Sequence, residues 1–514
     1  LKDAGYDVLL FEGAADSPVY VSIEDDKVEI HDAAEMWGLD SFETIDAVHK
    51  QLDNSKLSIA SIGQAGERKV AIACITFDKH SFAGRCGLGA VMGSKNLKAI
   101  AVAGTQAAEL HDPELAAELI KKFQLEIAEV VRENGFREHG TPGLCEDAEA
   151  LGDMPIKYWD GDVWPEGAKK LGGESYTNSL KAKPYPCKYC PVGCHRDITI
   201  DEPPKYAMKG IGPEYETLGM MGTNLLIDDP KAVAVANEIA NRLGIDTISA
   251  GAMIGFAMEC FEKGWISAEQ AGDLDLSWGN PDALIRLTEQ IGKREGLGEI
   301  FAEGILPAAE GISPEAIESV VHVKGLDLPA HDPRSCFSLA PSYATSTRGA
   351  CHFRGPCEDV EMGGFYIPEA DITEETTTMF EGENQGLLAD KCQDLGSLAN
   401  SLVVCLFVID GGDWALTGVK DLFNAITGWD FSALDLLEAG ERGFTSQRLM
   451  NIRDGYNAKT DVLPKKMFKA AASGGRAGKV PPLADMLKQY YEVRGWDANG
   501  EPTDQTLDRL GLTR

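Results

Sequence analysis

Three cysteines in the run Cys187-Lys188-Tyr189-Cys190-Pro191-Val192-Gly193-Cys194 constrain this chain more than any other feature. Thiolates spaced by two and by three residues converge on one metal centre only if the loop that carries them is firmly held. A [4Fe–4S] cube takes four thiolates, so three from one loop leave a fourth to come from a distant segment. A structural zinc site would want a second Cys pair or a His pair at knuckle spacing, and near this loop there is only His195. Ordinary buried thiols are the third reading. Pro186 and Pro191 stiffen the loop and Gly193 lets it turn tightly, which suits converging ligands.

With 514 residues, 44% apolar and 25% charged, the chain has room for several domains with their own cores and is not a disordered polymer. Its 82 acidic residues against 48 basic ones give a net charge of −34. That charge repels nucleic acid and anionic membrane surfaces, and it serves either basic partners or plain solubility in a crowded cytoplasm. Twelve cysteines, scattered outside the one loop, do not make the disulfide lattice of a small secreted domain, so a reducing, cytoplasmic setting is expected. The longest apolar runs, such as Leu402 to Ile409, are core-sized and far short of the roughly 20 residues that span a bilayer. The sequence begins with Leu1 and is silent about a targeting signal.

Apolar runs at Asp7–Phe11, Val19–Ile23 and Lys69–Cys74, separated by turn residues, predict a β-rich first hundred residues. Near residue 108 the pattern changes. Asp112-Pro113 is a helix start, and Leu115, Leu119, Ile120, Phe123 and Ile127 recur at helical spacing. Further helices are predicted over 230–243, 247–263, 281–294, 384–408, 433–450 and 482–493, with loops over 140–220 and 325–370. The fold class is therefore α+β. A β-sheet base over 1–107 precedes a helical domain with the Cys-rich loop, 108–324, and a second helical domain, 325–514.

Two further segments carry a physical signal. Asp229-Pro230 caps a helix that ends at Leu243, Gly244 can take the left-handed position, and Asp246 can cap the next helix. Such a turn offers free amides and a carboxylate to a heterocycle with amino and carbonyl edges, or it is a plain helix–turn–helix corner. Between Ala83 and Lys98, four glycines stand with Arg85, Lys95 and Lys98, a loop able to hold anionic oxygens or simply a structural turn. Neither the Walker nor the dinucleotide fingerprint is present.

Taken together, Ala83–Val102, the Cys187–Cys194 loop, Gly212-Pro213-Glu214-Tyr215-Glu216-Thr217 and Tyr343–His352 resemble the tungsten-containing aldehyde:ferredoxin oxidoreductase family, in the family's motif order and over essentially the whole chain. The resemblance starts inside the family's first domain, near Gly5-Tyr6-Asp7-Val8, so part of the β base and some of its cofactor contacts are expected to be missing. It implies that the domains enclose a tungstopterin and a [4Fe–4S] cluster. Cys187, Cys190 and Cys194 would hold the cluster with Cys405, which stands where the family writes Asp-x-x-Gly-Leu-Cys. In that motif Asn400 and Val403 replace Asp and Gly, and Val404 lies beside the thiolate. The companion motif Asp-x-x-Gly-Leu-Asp resembles Asn241–Asp246, with Ile245 and Asp246 at the pterin and Asn241 again replacing an acid.

Arg85 matches an arginine beside the pterins. Cys86 and Leu88 match backbone contacts to the cofactor and to the Mg2+ that bridges its phosphates, with Cys86 where relatives have a small residue. Glu216 and His352 match the family's proposed acid–base pair, and Glu214 is a second candidate. Read alone, His352 is equally a core histidine. The metal would be tungsten or molybdenum, the substrate an aldehyde, and the partner ferredoxin or a similar electron carrier. No nucleic-acid partner or membrane span is expected. No histidine follows a Glu at the Glu-x-x-His spacing of metal-bridged dimers, which leaves other homo-oligomers or hetero-subunits open. Two alternatives stand beside aldehyde oxidation: the active-site subunit of a tungsten-dependent aromatic acyl-CoA reductase, and a non-catalytic iron–sulfur electron carrier. The remaining cysteines, Cys351 and Cys357 included, read as core or pocket lining.

Overall fold

The structure is a computed structural model and describes residues 1–370, 372–374, 377–380, 382–409 and 415–513. By packing the chain divides into two compact units. The first comprises Leu1–Glu109, Asn178–Ala182 and Asp197–Val320; the second comprises Leu110–Thr177, Lys183–Arg196 and Val321–Arg514.

The first unit is built on a six-stranded sheet of strands β1 (Val19–Glu24), β2 (Lys27–Asp32), β3 (Ser58–Ser61), β4 (Ile75–Phe77), β5 (Ser81–Ala83) and β6 (Leu97–Ala103), in the order β2-β1-β6-β3-β4-β5. Only β1 and β6 run parallel, with Tyr20 opposite Ala99 and Val21 opposite Ile100. Residues Tyr20–Ile23 are buried throughout, because the sheet is covered on both faces. Tyr20, Ile59, Ala99 and Ala101 pack against Ile45 and Val48, whereas Val21, Ile23 and Leu97 pack with Met92, Leu9 and Phe11. Ile45 and Val48 lie on the helix Ser41–Leu52, which starts in a reciprocal Asp40–Glu43 capping box.

The first unit also holds the helices Tyr215–Met221, Pro230–Leu243, Thr247–Glu262 and Pro281–Lys293. Helix Thr247–Glu262 is buried from Ile248 to Cys260, so it has no polar face. At Gly251 a Cβ would come within 2.5 Å of the Met220 carbonyl, which lets this helix approach Tyr215–Met221 closely.

The second unit is mostly helical. Helix Gln385–Leu402 packs against Ala433–Arg453 and Leu483–Arg494. Buried Arg494 joins two of these helices through Asp390 at 2.7 Å and Asp394 at 2.5 Å. Helix Pro113–Glu133, capped by Asp112, packs on Ala415–Thr427. Among the described residues no helix is long and apolar enough to cross a membrane.

Some expected elements differ. Asp7–Phe11 forms no strand; Val8 and Leu10 are 78% and 81% exposed, so the run has no sheet face to join. Lys69–Cys74 contributes only a single bridge, Ala73 to Ile245. The long helix expected over 384–408 is broken after Leu402, where Val403 turns left-handed, and a short helix follows at Leu406–Ile409.

Candidate functional site

In the first unit, residues far apart in sequence meet at the turn after helix Pro230–Leu243. Gly244, at φ 74° and ψ 57°, ends that helix, and Asp246 begins the next by accepting from Ile248 N at 2.9 Å and Ser249 N at 3.2 Å. The turn is pinned from behind: Cys74 N donates to Gly244 O at 2.8 Å, and Asp246 N donates to Ile72 O at 3.0 Å. Asn241 is buried in the preceding turn, its carbonyl taking the Ser41 hydroxyl at 2.8 Å. Ile245 is buried as well. Arg85, itself buried, brings its Nε to 3.5 Å from the Asp246 carboxylate. Arg85 and Asp246 thus form a mostly buried ion pair at the start of a sixteen-residue helix.

Cys86 lies at φ 76° and Gly87 at φ 69°. A side chain at that left-handed angle is disfavoured, which gives a physical reason for the small residue expected at position 86. Leu88 opens the helix Leu88–Ser94 and is 44% exposed. Glu214 precedes helix Tyr215–Met221 and Glu216 sits in its first turn; both are half-buried. The Thr217 and Thr247 hydroxyls meet at 2.8 Å, so the two helices begin side by side, close to the Asp246 cap.

The second unit holds the thiols of the expected cluster. Cys187 and Cys405 are exposed, and Cys190 and Cys194 are half-exposed. A turn from Cys190 N to Cys187 O at 3.0 Å and left-handed Tyr189 and Gly193 shape the loop. The short helix Phe136–His139 ties both cysteine segments together. Arg137 donates to Pro191 O at 3.1 Å, and the Phe136 ring lies 5.3 Å from Phe407, two residues past Cys405. Val403, 89% exposed at φ 57°, and the half-buried Val404 lead into Cys405.

Two residues escaped the sequence reading. Buried Arg196 spreads one guanidinium over five carbonyls: Gly193 at 2.8 Å, Cys194 at 3.1 Å, His195 at 2.8 Å, and Phe136 and Arg137 at 3.1 Å. It fastens the Cys loop to the short helix, and its signal was an arginine two residues after the third cysteine. The other is His331, whose ring centroid lies 4.7 Å from that of buried His352. His352 also stacks edge-on with Phe353 at 4.5 Å.

The other thiols differ from these four. Cys74, Cys145, Cys260, Cys336, Cys351, Cys357 and Cys392 are buried, and only Cys86 joins the accessible set. Burial pushes Cys74 up to about 12, helped by the charge of Asp246, and drives Cys145, Cys336 and Cys392 well above the ordinary thiol range.

Along with this α+β architecture, the sequence matches two models of one oxidoreductase family. The aldehyde ferredoxin oxidoreductase N-terminal domain matches residues 1–104, and domains 2 and 3 of the same enzyme match residues 118–512. The chain belongs to the aldehyde ferredoxin oxidoreductase family, a family of tungsten oxidoreductases. It is 37% identical to the tungsten-containing aldehyde ferredoxin oxidoreductase of Pyrococcus furiosus over all of this chain and 83% of that protein. The protein of that name in Thermococcus kodakarensis is 36% identical, with the same coverage. An aliphatic sulfonate oxidoreductase, WOR-like subunit, of Pyrococcus furiosus is 31% identical over all of this chain and 81% of its own length. Among solved structures, the active site complex BamBC of benzoyl coenzyme A reductase has the same fold, with a TM-score of 0.82 at 23% identity over 99% of this chain and 82% of that one.

Proposed function

We propose that this chain oxidises aldehydes to carboxylic acids at a tungsten or molybdenum centre held by two pterin dithiolenes, with electrons leaving through a [4Fe–4S] cluster to ferredoxin or a similar carrier. The observation that carries the reading is the 37% identity, along the entire chain, to a protein named for that tungsten enzyme. The donor sets fit. Four of the five accessible thiols lie on two segments stapled to one short helix, which suits a cluster rather than core packing. In the first unit the Asp246 carboxylate, whose oxygens can accept further donors beside its two cap bonds, suits the amino edge of a pterin, with Asn241 and Ile245 in the same turn, and Val404 is the matching position in the second unit. Arg85 and the Cys86 and Leu88 backbones would meet phosphates and a bridging Mg2+.

When bound, the metallopterin supplies the two-electron acceptor and the cluster passes electrons on singly. This chain's own residues handle protons. Glu216, or Glu214 beside it, takes a proton from the water that becomes the acid's second oxygen. His352 polarises the aldehyde carbonyl and takes up a proton released as the acid forms. A second reading, an aliphatic sulfonate as substrate, draws on the 31% identity to the WOR-like subunit.

Anaerobically purified full chain is to be assayed for metals and for dye reduction with aldehydes and aliphatic sulfonates. About one tungsten and about four irons per chain with aldehyde-dependent reduction is the expected result. Iron without tungsten or molybdenum, or turnover of the sulfonate alone, overturns it.

A further inference from the structure

Asp153 and His331 form a carboxylate–imidazole pair inside the second unit. His331 Nδ1 lies 2.6 Å from Asp153 Oδ2. Asp153 is buried, and its Oδ1 accepts from the Asp332 backbone N and from the Ser335 hydroxyl, each at 2.9 Å. A carboxylate supplied with donors in this way is an acceptor, so the imidazole must donate from Nδ1. The ring is fixed at its own backbone too: the His331 carbonyl takes the Tyr343 hydroxyl at 3.1 Å. Tyr343 thus holds the His331 backbone and the Asp332 backbone N holds Asp153, while the Asp332 carboxylate is committed to Arg334 at 2.6 Å.

The partner of this pair is His352. The two rings are tilted by 43°, and ring nitrogens of His331 and His352 lie within 4.8 Å of each other. Arg476 and Arg334 hold the buried Asp332 carboxyl below the ordinary carboxylate range, while burial pushes Glu358 up and the nearby His331 charge acts against that rise.

We propose that Asp153 locks His331 in the tautomer with its proton on Nδ1, leaving Nε2 to receive a proton from His352. The inference rests on the role given to His352 in aldehyde oxidation. In the step, the His352 imidazolium gives its proton to one water, which gives a proton to His331 Nε2, so that one N–H bond breaks, one forms, the water is regenerated and no electron is transferred. His331 then carries the proton away from the substrate, and Asp153 stabilises the imidazolium that results. His331 is a positioning residue that acts through His352; Asp153 acts through His331.

The test combines a tautomer measurement with kinetics. Nitrogen-15 NMR of the histidine-labelled full chain reads which His331 nitrogen carries the proton, the signal being assigned with His331→Gln. The expected result is Nδ1–H in the unaltered chain and loss of that signal in Asp153→Asn. In metal-loaded enzyme, Asp153→Asn and His331→Ala are expected to lower kcat on the order of a hundredfold to ten-thousandfold. Added imidazole should restore part of the His331→Ala loss and none of the Asp153→Asn loss. An Nε2–H tautomer in an active unaltered enzyme, or an unchanged kcat in both variants, overturns the relay alone. An unaltered loaded enzyme that oxidises no aldehyde overturns the reaction and the relay together, whatever the tautomer.

Discussion

Replacing Arg196 by methionine keeps the length of the side chain and removes the whole guanidinium fork. In the intact chain that fork reaches five carbonyls at 2.8 to 3.1 Å. Hydrogen bonds from a charged donor contribute about 1.5–3 kcal/mol each, but five from one group are not additive. Phe136 O keeps the Gly140 N–H at 2.7 Å, so it is not stranded by the change. A buried carbonyl left without its donor costs about 1–3 kcal/mol, and several stranded together on one loop, without full additivity, give an expected size of about 3–5 kcal/mol. The damage should be local, because the other anchors of the short helix remain. Hydrogen exchange read by mass spectrometry over residues 183–200 is therefore the assay, with the segment Ser41–Leu52 as an internal control. At a tenfold change per 1.4 kcal/mol, protection of the loop amides should fall on the order of a hundredfold to a few thousandfold. Arg196→Lys, a point charge without the fork, should fall between. Unchanged exchange in Arg196→Met would refute the idea that this guanidinium holds the loop.

Val403→Gly relieves a left-handed β-branched residue, a strain of about 1–2 kcal/mol, against a chain-entropy loss of about 0.5–1 kcal/mol; a small rise in the denaturant midpoint is expected. Asp246→Ala removes two cap hydrogen bonds and should cost about 1–2 kcal/mol in thermal unfolding, whereas Asp246→Asn keeps the cap and loses mainly the attraction to Arg85. Cys405→Ser should lower iron content while Cys86→Ser leaves it intact, a contrast read by metal analysis. Burial alone would raise the Asp461 carboxyl, but Arg448 at 2.7 Å and Lys324 at 2.9 Å hold it below its ordinary value. Its folded form thus binds protons more weakly than its unfolded form, so its contribution is present above the ordinary carboxylate range and is lost as pH falls through the lower folded value. Acid unfolding of Asp461→Asn should be less steep there than that of the unaltered chain.

Elements with strong local punctuation were legible. Helix Pro230–Leu243 matched its expected limits because Asp229-Pro230 and Gly244 mark both ends chemically. Helix Ser41–Leu52 went unread although Asp40 and Glu43 spell a capping box, since its neighbours looked like strands. The apolar run Lys69–Cys74 misled for a different reason: it is buried against a turn near residue 244 rather than in a sheet, and periodicity cannot distinguish the two. In the candidate site, the thiol loop and the Asp246 turn were visible from spacing. The residues that fasten them were not. Arg196 reaches Phe136 across 60 positions and His331 meets Asp153 across 178, and nothing local in either segment encodes such a partner.

Seven of the twelve thiols are shut inside the cores of the folded chain. Iron binds thiolates, and several of the enclosed sulfurs are also held as protonated thiols, so they compete poorly for metal even where it reaches them. Exposure leaves five sulfurs, and loop geometry sets four of them apart from Cys86. An unfolded chain would present all twelve as near equals. Which sulfurs an incoming metal could reach is thus set by the fold rather than by the count of cysteines in the sequence.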